Sequence, residues 1–256
     1  ADAKRFVEAL LETAKQMHVE DWIARLDSWR TEYKISMRRE TELTPEQIIK
    51  AVNRLYPEFI MTTDVGQNQM WASQWVELNN QRQFLTSGGL GTMGFGLPSA
   101  IGAQIGNPDA NVVCITGDGG MQMNIQELAS ARLWETPVTV IILNNQYLGN
   151  VRQWQEMFYD RHYALTCLRM DRHCPPDCTG PNPACPPMYV PDFVRLAESY
   201  DCKAKRISSL AELEPALLEA KAERRRPTIL ECIISREDNI FPMVPGGYAL
   251  DEMIME

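Results

Sequence analysis

Val112-Val113-Cys114-Ile115-Thr116-Gly117-Asp118-Gly119-Gly120 reads as an apolar strand that ends on a carboxylate set among glycines. Residues 112–116 have strand length and β-branched content. The chain then turns at residues that permit close backbone approach to a ligand. A second apolar run at 138–143 ends on Asn144-Asn145, which places Asn145 27 residues after Asp118. Further strand-length runs at 59–62 and 228–234 alternate with helical patterns at 94–104, 124–134, 192–200 and 210–225. Such alternation predicts a doubly wound, mostly parallel α/β sheet with helices on both faces. The loops after the strand ends then share one rim, where ligands bind in such folds.

Asn124 is read as the cap of the next helix, with Glu127 three residues on, so that free N–H groups face the same rim. One carboxylate and one amide oxygen from neighbouring strand ends suit a hard cation that keeps other positions for phosphate and water, as magnesium does. A glycine-rich turn and an asparagine-rich turn without a ligand are the plain alternative. The pairing of the two motifs after two strands argues against it.

Composition sets the outer bounds. The 256 residues carry a formal net charge of −9, which disfavours a nucleic-acid-binding role. An anionic ligand must therefore be held by local devices and not by a broad basic face. No apolar run approaches the ~20 residues that span a bilayer, and the start shows no signal-peptide layout, so cytoplasm is the expected compartment. The chain begins at Ala1 without an initiator Met and reads as a piece of a longer protein. Residues 5–35 read as helix, with Phe6, Leu10, Ala14 and Met17 on one apolar face continued by Trp22, Leu26 and Trp29. With a polar linker, residues 1–42 are expected to be the helical remnant of a preceding domain. A second domain, 43–256, opens sharply: Thr44 is a helix cap, Pro45 fits the first turn, and Gln47 completes a capping box.

Gly117-Asp118-Gly119-Gly120 followed by Asn144-Asn145 resembles the fingerprint of thiamine-diphosphate enzymes. The resemblance implies Asp118, the Asn145 side chain and the Tyr147 carbonyl as magnesium ligands, with Gly119 and Gly120 presenting N–H groups to the diphosphate. Thr63-Asp64-Val65-Gly66-Gln67-Asn68-Gln69-Met70-Trp71 resembles the other diphosphate-binding loop, with Val65, Gln67 and Asn68 at the contacting positions. Asn68 stands where the family usually has His. Ser87-Gly88-Gly89-Leu90-Gly91-Thr92-Met93-Gly94-Phe95-Gly96-Leu97-Pro98 looks like the acetohydroxyacid synthase (acetolactate synthase) form of the cofactor-cradling loop. There Gly91 and Met93 meet the aminopyrimidine and Met93 supports the bent cofactor. Leu148-Gly149-Asn150-Val151-Arg152-Gln153-Trp154-Gln155 resembles the synthase helix that closes over the substrate. Trp154 matches the residue shaping the second ketoacid's pocket, and Asn150 stands where Met is usual. The ending, residues 239–247, is similar to the synthase tail that folds over the site.

The resemblance implies the carboxy-terminal portion of a synthase catalytic subunit, condensing pyruvate with a second 2-ketoacid in branched-chain amino-acid synthesis. It implies thiamine diphosphate, Mg2+ and, in the full-length enzyme, FAD. It further implies an activating glutamate on the amino-terminal domain of a partner subunit, a homo-oligomer, and room for a regulatory subunit. The isolated chain is accordingly expected to be inactive. The rivals are another thiamine-diphosphate enzyme, of pyruvate oxidase or glyoxylate carboligase type, and a cofactor-binding module without catalysis of its own. Cys114 and Cys232, inside strands, are expected as free thiols. Cys167, His173, Cys174, Cys178 and Cys185 lack the paired short spacings of structural zinc sites, and the loop that carries them is expected to need no metal.

Overall fold

The computed structural model describes residues 2–15, 18–37, 42–169, 174 and 191–255. The chain forms two compact units, Ala1–Ser36 and Met37–Glu256.

In the first unit, α1 (Ala3–Thr13) and α2 (Glu20–Glu32) replace the single helix expected over 5–35. Ala14 is extended, with φ −65° and ψ 129°, so the apolar stripe is cut there. Met17, expected on that stripe, lies outside the described residues. Asp2 caps α1 by accepting from the Arg5 N–H. In α2, Trp22 meets Trp29 edge-on, and Arg25 lies over the Trp29 ring.

The second unit takes in Met37, whose N–H donates to Glu46 Oε2. Its first helix, α3 (Pro45–Leu55), begins at the expected capping box: Thr44 accepts from the Gln47 N–H and Gln47 accepts from the Thr44 N–H. From there follow β1 (Phe59–Thr63), α4 (Gln67–Trp75), β2 (Phe84–Leu85), α5 (Gly96–Gly106), β3 (Asn111–Gly117), α6 (Asp118–Met121), α7 (Glu127–Leu133) and β4 (Thr139–Asn144). The remainder comprises α8 (Gly149–Phe158), α9 (Phe193–Ser199), β5 (Lys203–Ile207), α10 (Leu210–Ala222) and β6 (Thr228–Ile233). All strand pairs are parallel, in the order β2-β1-β3-β4-β6-β5.

Period-two alternation divides the core between the faces of this sheet. Val113, Ile115, Ile141 and Leu143 pack with Ile48 and Ile49 of α3, Trp71 of α4 and Leu217 of α10. Val112, Cys114, Val140 and Ile142 pack with Leu97 of α5, Leu128 of α7 and Phe193 of α9. Both faces are thus covered, which is why the central strands read as continuous apolar runs. Cys114 and Cys232 are buried free thiols. The chain runs from β1 outward to β2 and returns to place β3 on the other side of β1, so the topological switch lies between β1 and β3. Their carboxyl ends therefore flank the crevice where this architecture binds ligands.

Two sequence readings change here, and two strands are added to those the sequence predicts. Residues after Gly66, read as a loop, enter α4 at Gln67. Asn124 does not cap α7; the cap position is Gln126, and the Asn124 side-chain amide instead donates to the Gly94 carbonyl. β2 and β5, the two sheet edges, carry no signal of the kind the inner strands show. No helix among the described residues is long and apolar enough to cross a membrane. His173, Cys178 and Cys185 lie outside the described residues, and so does most of the cysteine-rich loop.

Thr44→Ala removes one half of the capping box and should destabilise the second unit by about 1 kcal/mol. Urea unfolding followed by circular dichroism measures it; an unchanged midpoint would show that the cap carries no weight there.

Candidate active site

The carboxyl ends of β1, β3 and β4 enclose a cavity of about 190 Å3. Its first wall comes from the turn after β1. Gly66 has φ +124°, which glycine alone adopts readily, and the chain then enters α4 with Gln67 and Asn68 in the first turn. Val65, Gln67 and Asn68 all line the cavity. The Asn68 amide donates to the Val65 carbonyl, and its buried Oδ1 has no partner.

The second wall comes from the end of β3. Asp118, Gly119 and Gly120 line the cavity at the start of α6. Asp118 is 2% exposed, and its Oδ2 has no hydrogen-bond partner. Burial pushes its pKa up to about 7, against backbone N–H groups of Asp118, Gly119 and Gln146 that favour the anion; the nearby charge of Glu231 adds to the rise. No Lys or Arg among the described residues pairs with it. A buried carboxylate in that condition either holds a proton or meets a cation from outside the chain.

The third wall follows β4. Asn144 and Asn145 each turn the chain by accepting from the N–H two residues on, at Gln146 and Tyr147. Gln146, directly after the asparagine pair, takes φ +62°, an uncommon conformation for a residue with a Cβ. The Asn145 Nδ2 donates to Gln67 Oε1 at 3.1 Å, which leaves Oδ1 turned to the Tyr147 side. Leu148 N–H donates to the Thr166 carbonyl and Leu168 N–H to the Gln146 carbonyl. Tyr147 sits between these bonds, so its own carbonyl points away from that ladder.

The fourth wall is the glycine loop before α5, where Gly91 and Met93 line the cavity. Met93 reaches across it: its Cε would lie 3.7 Å from a Cβ on Gly119. This loop is held by a residue whose role the sequence reading missed. The Asp64 carboxylate is 1% exposed and accepts from the N–H groups of Val65, Gly94 and Gly96, at 2.9 to 3.0 Å. Asp64 was legible only as the opening of the diphosphate-loop motif; nothing local marked it as the tie between two loops.

Leu148, Gly149, Asn150 and Val151 close the cavity from the start of α8. Trp154 lies one turn farther along α8, is 46% exposed and does not line the cavity. The structure therefore brings together Val65, Gln67, Asn68, Gly91, Met93, Asp118, Gly119, Gly120, Asn145 and Tyr147, and leaves Trp154 outside them.

The donor set fits a hard divalent cation with a diphosphate. Asp118 offers an unpartnered buried oxygen, Asn145 and Tyr147 line the same cavity and carry an amide oxygen and a main-chain carbonyl, and glycines also line it. No Lys or Arg among the described residues lines the cavity, so the metal would carry the charge compensation for the phosphates.

Residues 64–232 match the C-terminal TPP-binding domain of thiamine pyrophosphate enzymes. The chain is 34% identical over 262 residues to the acetolactate synthase large subunit of Cyanidium caldarium, covering 99% of this chain and 41% of that protein. It is 38% identical to the large subunit of Parasynechococcus marenigrum (strain WH8102), over 98% of this chain and 37% of the relative. It is 36% identical to the isozyme 3 large subunit of Escherichia coli (strain K12), over 98% and 42%. The chain thus spans about two fifths of the length of the curated relatives it matches.

A Cβ added to Gly120 would lie 2.3 Å from Asp64 Oδ1, an atom fixed by its N–H donors. Gly120→Ala should therefore cost about 1–3 kcal/mol of stability. Gly89, with no atom within 4 Å of an added Cβ, should tolerate alanine within about 0.5 kcal/mol. Equal unfolding midpoints for the two variants would show that the Asp64 tie yields without cost.

Proposed function

Because the chain belongs to the thiamine pyrophosphate enzymes, in their C-terminal TPP-binding domain, we propose that its cavity holds thiamine diphosphate through a magnesium ion and serves acetolactate formation. The observation that carries the proposal is the buried, unpartnered Asp118 Oδ2 at the end of β3, beside Asn145 at the end of β4. The relatives named above support the choice of acetolactate synthase within the family.

On this reading Asp118, the Asn145 amide oxygen and the Tyr147 carbonyl hold the metal. Gly119 and Gly120 leave room for phosphate oxygens beside their N–H groups, and Asn68 and Gly91 line the same cavity. Met93 offers a polarizable apolar support, and Leu148 and Val151 exclude water from above. When bound, thiamine diphosphate supplies the electron sink needed for pyruvate to lose carbon dioxide and its two-carbon remainder to join a second 2-ketoacid. FAD, an activating glutamate from a partner subunit, and homo-oligomer assembly are proposed for the whole protein, on the same resemblance.

Asp118→Ala should abolish magnesium-dependent binding of thiamine diphosphate while the fold persists. Calorimetric titration of the folded variant reads this directly; undiminished affinity would sink the metal assignment.

Among the described residues lining the cavity, Asp118 is the only carboxylate, and Asp64 is committed to backbone N–H groups. The 256 residues by themselves should therefore bind the cofactor without forming acetolactate, for want of a carboxyl group at the aminopyrimidine end. Pyruvate consumption should be followed with the chain alone and with an amino-terminal fragment of a related large subunit added. Robust turnover by the chain alone would place the acid within it.

A further inference from the structure

Gln153 of α8 is 1% exposed and lies outside the cavity wall, yet its side chain is tied toward the cavity and away from it at once. Its Oε1 accepts from Gln67 Nε2 at 2.8 Å and from the Ile240 N–H at 3.0 Å, and its Nε2 donates to the Ile240 carbonyl at 3.1 Å. Gln67 Nε2 also donates to the Asp238 carbonyl, and Gln67 Oε1 accepts from Asn145 Nδ2. The spacing is close: a Cβ on Gly149 would lie 2.1 Å from Gln67 Oε1 and 2.8 Å from Asn145 Nδ2.

A side-chain amide can present its oxygen or its nitrogen to a neighbour, and its partners decide which. A backbone has no such choice. The N–H and carbonyl of Ile240 set the sense of the Gln153 amide, Gln153 sets that of Gln67, and Gln67 sets that of Asn145. With Nδ2 held by Gln67, Asn145 turns its oxygen toward the Tyr147 N–H, and on the proposed reading that oxygen is the one offered to the metal. The reverse sense would present an NH2 group to a cation.

We infer that Gln153 is a positioning residue for the metal: acting through Gln67, it fixes the orientation of the Asn145 amide and couples it to the tail segment at Asp238 and Ile240. The inference rests on the reading of Asn145 as a metal ligand. Partners of metal ligands typically affect metal affinity by roughly 10–100-fold. Tyr147 N–H and the Asp238 carbonyl favour the same amide senses, so the effect belongs at the low end of that range.

The test is calorimetric titration of the folded chain with MgCl2 at saturating thiamine diphosphate. Gln153→Met, which keeps side-chain length and removes the amide, should weaken Mg2+ binding about tenfold. Gln153→Glu keeps an oxygen facing Gln67 Nε2 and should recover most of the loss. Gln74→Met is the control: it deletes a tail bond, Gln74 Nε2 to the Phe241 carbonyl at 2.9 Å, that lies outside the relay, and should leave affinity unchanged. The double variant Gln67→Met with Gln153→Met should bind no more weakly than Gln67→Met alone, because both act on one path. Should Gln153→Met fail to fold, hydrogen exchange on the unaltered chain decides: loading with Mg2+ and thiamine diphosphate should slow exchange of the Ile240 N–H, by reciprocity of coupling. Equal affinity for Gln153→Met and the unaltered chain, an equal loss in Gln74→Met, or unchanged Ile240 exchange would overturn the relay. An unaltered chain that binds no Mg2+ with the cofactor would overturn the metal site itself.

Discussion

The Asp64 carboxylate is the constraint on which the arrangement of the cavity depends. It stands just beyond β1 and accepts N–H groups from its own turn, from Gly94 in the loop that precedes α5 and from Gly96 at the start of that helix. Gly120, from the turn after β3, packs against the same carboxylate so closely that a methyl group does not fit. Three loops that are far apart in sequence thereby meet at one anion. Hydrogen bonds to a charged group contribute roughly 1.5–3 kcal/mol each, more than neutral ones, and their donors here are backbone atoms that cannot swing away. Rigidity at that point gives the cavity a fixed width, and the glycines of the surrounding loops keep that width free of side chains.

Much of this was legible in the sequence because the signals were local. The inner strands are buried on both faces, and so read as apolar runs; the capping box at Thr44 and Gln47 involves residues three apart. The glycine and asparagine turns announce themselves by residue type. What was not legible depends on distant partners. β5 reads Lys-Ala-Lys-Arg-Ile, because an edge strand turns charges outward: Arg206 pairs with Glu231 and Asp192, and Lys203 with Glu223. β2 is only two residues long. Asn124 looked like a helix cap because Glu127 follows it, but a main-chain carbonyl 30 residues away claims its amide. The role of Asp64 is of the same kind, since its donors come from beyond the next helix.

Two of the buried carboxylates near the site, Glu231 and Asp118, show how differently the chain treats its charges. Glu231 of β6 is 1% exposed and is satisfied within the protein, by Asn144 Nδ2 on one oxygen and Arg206 Nε on the other. Asp118 is as deeply buried, has backbone N–H groups nearby, and pairs with no cation among the described residues. Leaving it so is costly unless something else supplies the positive charge. Retained on the cavity wall with one oxygen unpartnered and no cation paired to it among the described residues, it acts on the proposed reading as a ligand and not as a contributor to stability.

That difference also bears on how the proposed metal and diphosphate enter. A diphosphate alone would meet Asp118 with no Lys or Arg among the described residues of the cavity wall to compensate its charge. A magnesium ion alone would find one carboxylate and neutral oxygens, and would keep most of its hydration. Together they neutralise each other at the one place where the fold provides oxygens for the metal and N–H groups for the phosphates. On the proposed reading, binding of each is therefore strongly favoured by the other, and a glycine-rich cavity with one carboxylate makes the pair the unit that the fold recognises.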